Sequence, residues 1–388
     1  MKILHTSDWH MGASDGNRSL KEDQLFFLEE IYRVIEQENI DVVVIAGDVY
    51  DRAITSAEAI SLYDDAMTHI CNELGKEVLI IAGNHDSAER LASCSGLLEK
   101  AGLHIVGAIK SEPTIVSYED VDFYMLPWFS EDKVKSIYPE KIADINSLND
   151  AYKVVCDKCR ETFAEGKKHI AVSHAFITGS ELSVSDRAAE LAVVGLATQV
   201  SADVFDGFDY VALGHIHKPQ NVRDNIRYSG TPMPYSFGKE EAQEKSVTVI
   251  DTDTMEQKIV PLKLLHKRTT IKDTWENVTA AVYSDEVRSG YVRVMITDAF
   301  VGIEKISVIQ SMFENVLELS GNSLTDENAV IAMSMSEFRE MESDPIQIFK
   351  SFYKDCFNAE PDDHFVNMFL ESIEDVNESV NVGSDDAM

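Results

Sequence analysis

Cysteine is scarce in this chain: five residues in 388, odd in number and scattered, so no disulfide framework is expected and a reducing compartment suits it. Positive charge is scarce as well, with 34 Lys plus Arg against 68 Asp plus Glu and a formal net charge of −34. That balance argues against a protein that grips nucleic acid mainly by a broad basic surface. Long apolar runs are missing. The longest, Val42–Ala46 and Val78–Ala82, are strand-sized and far short of the ~18 residues a membrane-spanning helix needs. The opening MKILHTSDWH carries Asp8 and no extended apolar stretch, so it does not read as a signal peptide, and a cytoplasmic protein with no membrane partner is expected. No G-x-x-x-x-G-K-[ST] occurs, which leaves the chain without an ATP site of its own. Internal repeats are also lacking.

What remains is an ordinary globular composition, 44% hydrophobic and 26% charged, in a length that suggests two or three domains. Up to residue 265, short apolar segments (Lys2–Ser7, Val42–Ala46, Val78–Ala82, Phe123–Leu126, His169–Ser173, Tyr210–Leu213, Val247–Ile250) alternate with amphipathic ones (Glu22–Glu38, Ala57–Leu74, Tyr152–Ala164). This alternation predicts an α/β domain with its site in loops at the carboxyl ends of strands. Residues 266–340 read as a small α+β module: helix Trp275–Tyr283, strand Gly290–Ile296, helix Glu304–Leu319 and a strand near Ala329–Met335. Residues 341–388 read as two short aromatic-rich helices, Ile346–Phe357 and Phe365–Ile373, then a polar tail from Val376 expected to be disordered. Cys156 and Cys159 form a C-x-x-C inside a helical segment with no second pair at zinc-site spacing, so packing is the expected role.

Five polar clusters follow apolar strands: Asp8-Trp9-His10, Gly47-Asp48-Val49-Tyr50-Asp51, Gly83-Asn84-His85-Asp86, His174, and Gly214-His215-Ile216-His217. Any one alone is weak. Together, carried by parallel strands to one sheet edge, they would gather carboxylates and imidazoles that need a cation to compensate them. Oxygen and imidazole donors without thiolate suit manganese, iron or zinc and disfavour calcium. Asp8 with His10, and His215 with His217, are two apart, so an extended backbone would send each pair to one side. Glycines 47, 83 and 214 are expected to let the chain turn sharply, and Asn84 can offer a neutral oxygen. Seven such ligands suit two ions sharing one carboxylate.

The set D-x-H, G-D-x-x-D, G-N-H-D, a lone H and G-H-x-H resembles the calcineurin-like metallophosphoesterase superfamily, whose fold is a double β-sandwich flanked by helices around a di-metal centre. Within it, MKILHTSDWHMG, Pro127–Phe129, VALGHIHKPQ and YSGTPMPYSFGKEEAQEKSVTVID are similar to the SbcD family, the nuclease subunits of bacterial SbcCD complexes. The likeness is close over about the first 265 residues; the α+β cap and the C-terminal helices match in order and size. Met11 stands where the family more often has Leu, and the tail is unusually acidic.

The resemblance implies one ion on Asp8, His10, Asp48 and His217 and a second on Asp48, Asn84, His174 and His215, with Asp48 bridging. His85 would contact the scissile phosphate, and Asp51 and Asp86 would orient ligands or His85. It implies manganese, with magnesium as the alternative metal. The implied activity is 3′-to-5′ exonuclease action on duplex ends and endonuclease action on hairpins and single strands, in DNA repair and recombination. Partners would be an SbcC-type ATPase, docked on Ile346, Phe349, Tyr353 and Phe357, and a second copy of this chain within a heterotetramer. A phosphoesterase of small molecules or phosphoproteins that shares only the metal site is the alternative reading, and a cap with docking helices speaks against it.

Several residues keep two readings. Arg52, Arg90 and Lys218 beside the motifs either contact DNA phosphates or pair with local acids. Trp9 either stacks on a base or packs. Leu62, Tyr63, Met67 and Ile70 either form the dimer contact or face the chain's own core.

Overall fold

The structure is a computed structural model that describes residues 1–15, 18–181, 199–298, 303–322 and 330–334, with isolated positions at 346, 349, 350, 353, 361, 362, 364–366 and 368. The chain divides into two units, one of Met1–Asp15 with Ser19–Leu265, the other of Gly16–Arg18 with His266–Met388.

The first unit is built on two six-stranded sheets. In the first, β1 (Lys2–Thr6), β2 (Val42–Ala46), β3 (Glu77–Ile81) and β4 (Leu103–Val106) run parallel. In the second, β5 (Ile115–Ser117) pairs antiparallel with β6 (Val121–Leu126), which continues parallel to β7 (Lys168–His174) and β8 (Tyr210–Gly214). Strand β9 (Gln220–Arg223) and strand β10 (Ile226–Tyr228) close that sheet, β10 lying beside β8. The first sheet is completed by β11 (Ser246–Asp251), antiparallel to β1, and β12 (Glu256–Pro261).

The sheets pack face to face. Ile3, Val44, Ala46, Leu79 and Ile81 from one meet Phe123, Met125, Ile170, Val172, Tyr210 and Ala212 from the other in a single buried cluster. Strands buried on both faces explain why their sequences are continuous apolar runs rather than alternating ones. Over the outer face of the second sheet lies α3 (Leu148–Arg160), begun by Ser147, whose hydroxyl accepts from Asp150 N at 3.2 Å. Its Tyr152, Val155, Cys156 and Cys159 are buried against Tyr124, Ala171 and Val211, so the two cysteines are packing residues with free thiols. Helix α1 (Lys21–Glu38) buries Phe27, Leu28, Ile31, Val34 and Ile35 at three- and four-residue spacing and stops at Asn39 in the left-handed conformation, φ 54°. Helix α2 (Ala57–Thr68) is capped by Ser56 and ends in a wider turn at His69–Glu73. Its Leu62 and Met67, with Ile70 just beyond, are buried within the chain, which removes them as dimer contacts; Tyr63 is half-buried with its ring against Tyr50.

In the second unit, β13 (Arg268–Asp273), β14 (Tyr291–Ile296) and β15 (Asn315–Asn322) are parallel, and β16 (Val330–Ser334) is antiparallel to β15. This corrects two expectations. Arg268–Asp273 is a strand that the sequence pattern does not announce, and the helix expected over Glu304–Leu319 is observed as Ile303–Met312 and then gives way to strand β15. Phe313, Val316 and Leu319 recur at a three-residue spacing that mimics a helix, but all three are buried in the cap's core with Ile306 and Ile309, and the break falls at Phe313–Glu314. At the carboxyl end Ile346, Phe349, Tyr353 and Phe365 are helical, with ring centroids 5.9 Å apart for Phe349–Tyr353 and 5.3 Å for Tyr353–Phe365. Phe357 and the tail from residue 376 lie outside the described residues. Among the described residues, no helix is long and apolar enough to cross a membrane.

Candidate metal centre

The five polar clusters meet at one end of the sandwich, but on two sheets rather than one edge: β1, β2 and β3 deliver Asp8, His10, Asp48 and Asn84, while β7 and β8 deliver His174, His215 and His217. The sheets come close at this end. A Cβ built on Gly83 would stand 2.1 Å from Asp48 Oδ1, and one on Gly214 would stand 1.9 Å from Ala46 O and 2.9 Å from His174 Nδ1. Of the three motif glycines only Gly47, with φ +90°, has a backbone that needs glycine for its turn; Gly83 and Gly214 are there for space.

Nor does an extended backbone align the paired ligands. Asp8 (φ 54°), His10 (φ 43°), Asp48 (φ 50°) and His215 (φ 97°) are all left-handed, four of the seven such non-glycine residues among those described. Each costs of order 1–3 kcal/mol, so the strain of the domain is concentrated in its candidate ligands. Main-chain bonds hold it in place: Asp8 N donates to Gly47 O and His10 N to Asp48 O, both at 3.0 Å, and His215 N donates to the Asp8 carboxylate at 3.0 and 3.1 Å.

The donor atoms converge. His10 Nε2 and His217 Nε2 stand 3.2 Å apart, His174 Nε2 is 3.3 Å from Asp48 Oδ2, and Asn84 Oδ1 is 3.0 Å from His174 Nε2 and 2.9 Å from His215 Nδ1. Asp8, His10 and His217 form one compact cluster of ligand atoms; Asp8, Asp48 and His174 form another. Two imidazole nitrogens facing each other need a proton or a cation between them. Donors on one ion at about 2.0–2.2 Å lie at this kind of mutual separation. The residues therefore fit divalent metal.

Electrostatics agree for two of the imidazoles. Burial, reinforced by neighbouring imidazoles, keeps His10 well below the ordinary histidine range and lowers His215 to about 3, so both present lone pairs. Burial also acts against charge on His174, but the Asp48 carboxylate outweighs it and raises that imidazole to about 9. Burial raises Asp8, whereas for Asp48 it is overcome by His174 and the carboxyl is held below its usual range.

His85 sits beside this group, its ring centroid 4.9 Å from that of His10, its N donating to Asp48 Oδ1 at 2.8 Å. Its Nδ1 is 2.8 Å from Asp51 O, so the main-chain carbonyl of Asp51 orients the ring, and the Asp51 carboxylate, paired with Arg52 at 3.1 Å, also forms a compact cluster with the rings of His10 and His85. Asp86 makes its hydrogen bonds to main chain rather than to an imidazole. Its carboxylate accepts from Val49 N, Tyr50 N and Gly83 N at 3.2, 2.9 and 2.9 Å and so ties the Asp48 loop to the Asn84 loop. Burial and the nearby Asp48 raise its pKa to about 6.

The three basic candidates differ. Arg52 is 75% exposed beside its Asp51 partner, Arg90 donates to Ala53 O at 3.0 Å, and Lys218 is ion-paired with Glu181. Trp9 is fully buried, donates to Thr6 Oγ1 at 3.0 Å and packs edge-on against Phe27, which removes it from any surface that a base could reach.

Sequence reasoning missed four residues behind the ligands. Gln24 holds the loop after β1, donating to His10 O at 2.7 Å and accepting from Gly12 N at 3.1 Å. The Tyr235 hydroxyl donates to Trp9 O. Glu240 and Lys245 are buried as an ion pair of 3.4 Å, with Glu240 Oε1 3.3 Å from His217 Nδ1. Their segment was legible as a motif, but in so acidic a chain a single Glu or Lys there reads as surface charge.

A metal-dependent phosphoesterase is the class of protein that this sandwich and donor set define. The family model for the calcineurin-like phosphoesterases matches residues 1–219, and the chain belongs to that family. Over 358 residues it is 29% identical to the SbcD component of the SbcCD nuclease of Staphylococcus epidermidis, covering 91% of this chain and 93% of that protein. Among solved structures, TT1561 of Thermus thermophilus is 13% identical, covering 68% of this chain and 99% of that one at a TM-score of 0.38. The phosphoesterase YfcE of E. coli is 13% identical over 68% of this chain and the whole of that one, at a TM-score of 0.27.

Proposed function

We propose that the chain is the nuclease subunit of an SbcCD-type complex, cleaving DNA phosphodiesters with two divalent ions, manganese first and magnesium as the alternative. The observation that carries this reading is the gathering of seven O and N donors at the two sheet ends, in a chain whose likeness to a nuclease subunit runs over 91% of its length, well beyond the phosphoesterase domain. Asp8, His10, Asp48 and His217 would hold one ion, and Asp48, Asn84, His174 and His215 the other. Ions held there would supply the charge that activates a water and steadies the attacking and leaving oxygens of the ester.

The protein's own part is position. With His85 Nδ1 donating to Asp51 O, Nε2 is the atom that faces the scissile phosphate and stabilises the departing oxygen. Arg52, exposed at the rim, is the best placed of the three basic residues for a flanking phosphate. The net charge of −34 implies that grip on DNA comes largely from the partner ATPase, which would dock on Ile346, Phe349, Tyr353 and Phe357. Exonuclease action on duplex ends, endonuclease action on hairpins and single strands, and a cytoplasmic heterotetramer belong to this same reading.

The test is hydrolysis of linear duplex, hairpin DNA and a small phosphodiester with manganese, comparing the wild type with His85→Ala. Cleavage of both DNAs and a large loss in the variant are expected. Turnover of the small diester alone would refute the nuclease reading, and an undiminished variant would refute the role of His85.

A further inference from the structure

We propose that Glu240 and Lys245 form a buried clamp that positions His217, and that this clamp sets the affinity of one of the two ions and not the other. The proposal rests on the two-ion reading above. Both residues are 1% exposed. They hold His217 at two points: Glu240 Oε1 faces the ring at Nδ1, 3.3 Å away, and Lys245 Nζ donates to the main-chain oxygen of His217 at 3.2 Å. The clamp is itself fixed. Glu240 accepts from Ser236 Oγ at 2.8 Å and from Tyr235 N at 2.9 Å, and Lys245 donates to Thr231 Oγ1 at 2.7 Å. Tyr235 lays its ring edge-on to His10 and His217, with centroids 5.4 and 6.1 Å away.

A carboxylate behind an imidazole fixes the proton on the far nitrogen, aims the near one and raises its basicity. His217 is backed in this way, leaving Nε2 pointed at His10 Nε2. On the other side of the centre the backing is neutral, since the partner of His174 Nδ1 among the described residues is the carbonyl of Ala46 at 2.8 Å. His10, the neighbour of His217, has a buried Nδ1 with no partner among the described residues. Of these three rings His217 is the one backed by a carboxylate, so the clamp acts on the side built on Asp8, His10 and His217 rather than on the side built on His174, His215 and Asn84.

The experiment is titration of the full, metal-free chain with manganese alone, followed by paramagnetic resonance of the free ion. Glu240→Leu/Lys245→Met removes both charges together and strands neither. It is expected to bind one ion as the wild type does and the other 10- to 100-fold more weakly. Glu240→Gln/Lys245→Met, which keeps an uncharged acceptor for Nδ1, is expected to recover part of that loss. Unchanged affinity at both sites, or equal loss at both, would overturn the proposal. Should the apolar pair fail to fold, the ¹⁵N imidazole spectrum of the metal-free wild type decides: the proton of His217 on Nδ1 supports the clamp, and on Nε2 refutes it. A wild type that takes up a single ion counts against the two-ion reading and against selectivity, while the spectrum still reports on the clamp.

Discussion

Replacing Gly214 by alanine puts one methyl group where the two sheets of the sandwich touch. The added Cβ would stand 1.9 Å from Ala46 O, and real Cβ contacts essentially never fall below 3.0 Å, so the ends of β8 and β2 must separate by about 1 Å. Ala46 O is also the acceptor that orients His174 Nδ1, at 2.8 Å, and that ring nitrogen lies 2.9 Å from the same methyl. Overpacking of this kind costs about 1–3 kcal/mol, lowering the melting temperature by several degrees. The larger effect is on function, because a misplacement of about 1 Å at a catalytic centre costs on the order of 100-fold in rate. Gly166→Ala is the control. Its φ is +82° with nothing within 4 Å of the new Cβ, so it loses stability to backbone strain alone, about 1–2 kcal/mol, far from the ligands. Turnover of a small phosphodiester with manganese, measured beside thermal melting, should separate the two: both variants melt lower, and only Gly214→Ala loses about 100-fold in rate. A Gly214→Ala protein with wild-type rate would show that the sheet ends do not set the ligand geometry.

Chelation should expose the cost of the unpaired centre: at manganese 100-fold above its dissociation constant the folded state gains about 2.7 kcal/mol per ion, so melting in EDTA should fall well below melting in manganese, and coincident curves would argue against metal in this site. Removing residues 344–388 should abolish co-purification with the ATPase partner while leaving hydrolysis of a small diester intact; retained binding would exclude the aromatic helices as the dock. Burial, helped by Arg227, holds His5 at about 3 in the folded chain, so the unfolded chain takes up this proton first as pH falls below about 6.5. Stability from this group is full above that pH and lost progressively down towards 3, about 2 kcal/mol by pH 5. Denaturant titrations at pH 7.5 and 5 should show a smaller difference in His5→Gln by that amount, and an equal difference in both proteins would refute the assignment.

The chemistry of the centre was written locally. Each apolar strand and the polar residues that follow it are neighbours along the chain, so Asp8, His10, Asp48, Asn84, His85, His174, His215 and His217 could all be named from the residues alone, as could the strands β1, β2, β3, β6, β7, β8 and β11. What depended on distant segments could not. That the candidate ligands come from two facing sheets, that Gly83 and Gly214 serve clearance rather than turning, and that Leu62 and Met67 face inward follow from packing between segments remote along the chain. The left-handed backbone at four candidate ligands is held by bonds such as His215 N to Asp8, 207 residues apart, and an alternation argument has no access to it. Strand β15 was hidden because Phe313, Val316 and Leu319 satisfy a helical spacing, and only pairing with β14 and β16 settles the choice. Glu240 and Lys245 carry the same lesson, since a charged residue is read as solvated until a fold buries it against a partner, here the back of a histidine. Sequence by itself determined which atoms are available for chemistry, because that is a matter of residue type and near neighbours. Tertiary structure alone decided how they are held, because clearance, strain and burial are properties of segments that meet only when the chain is folded.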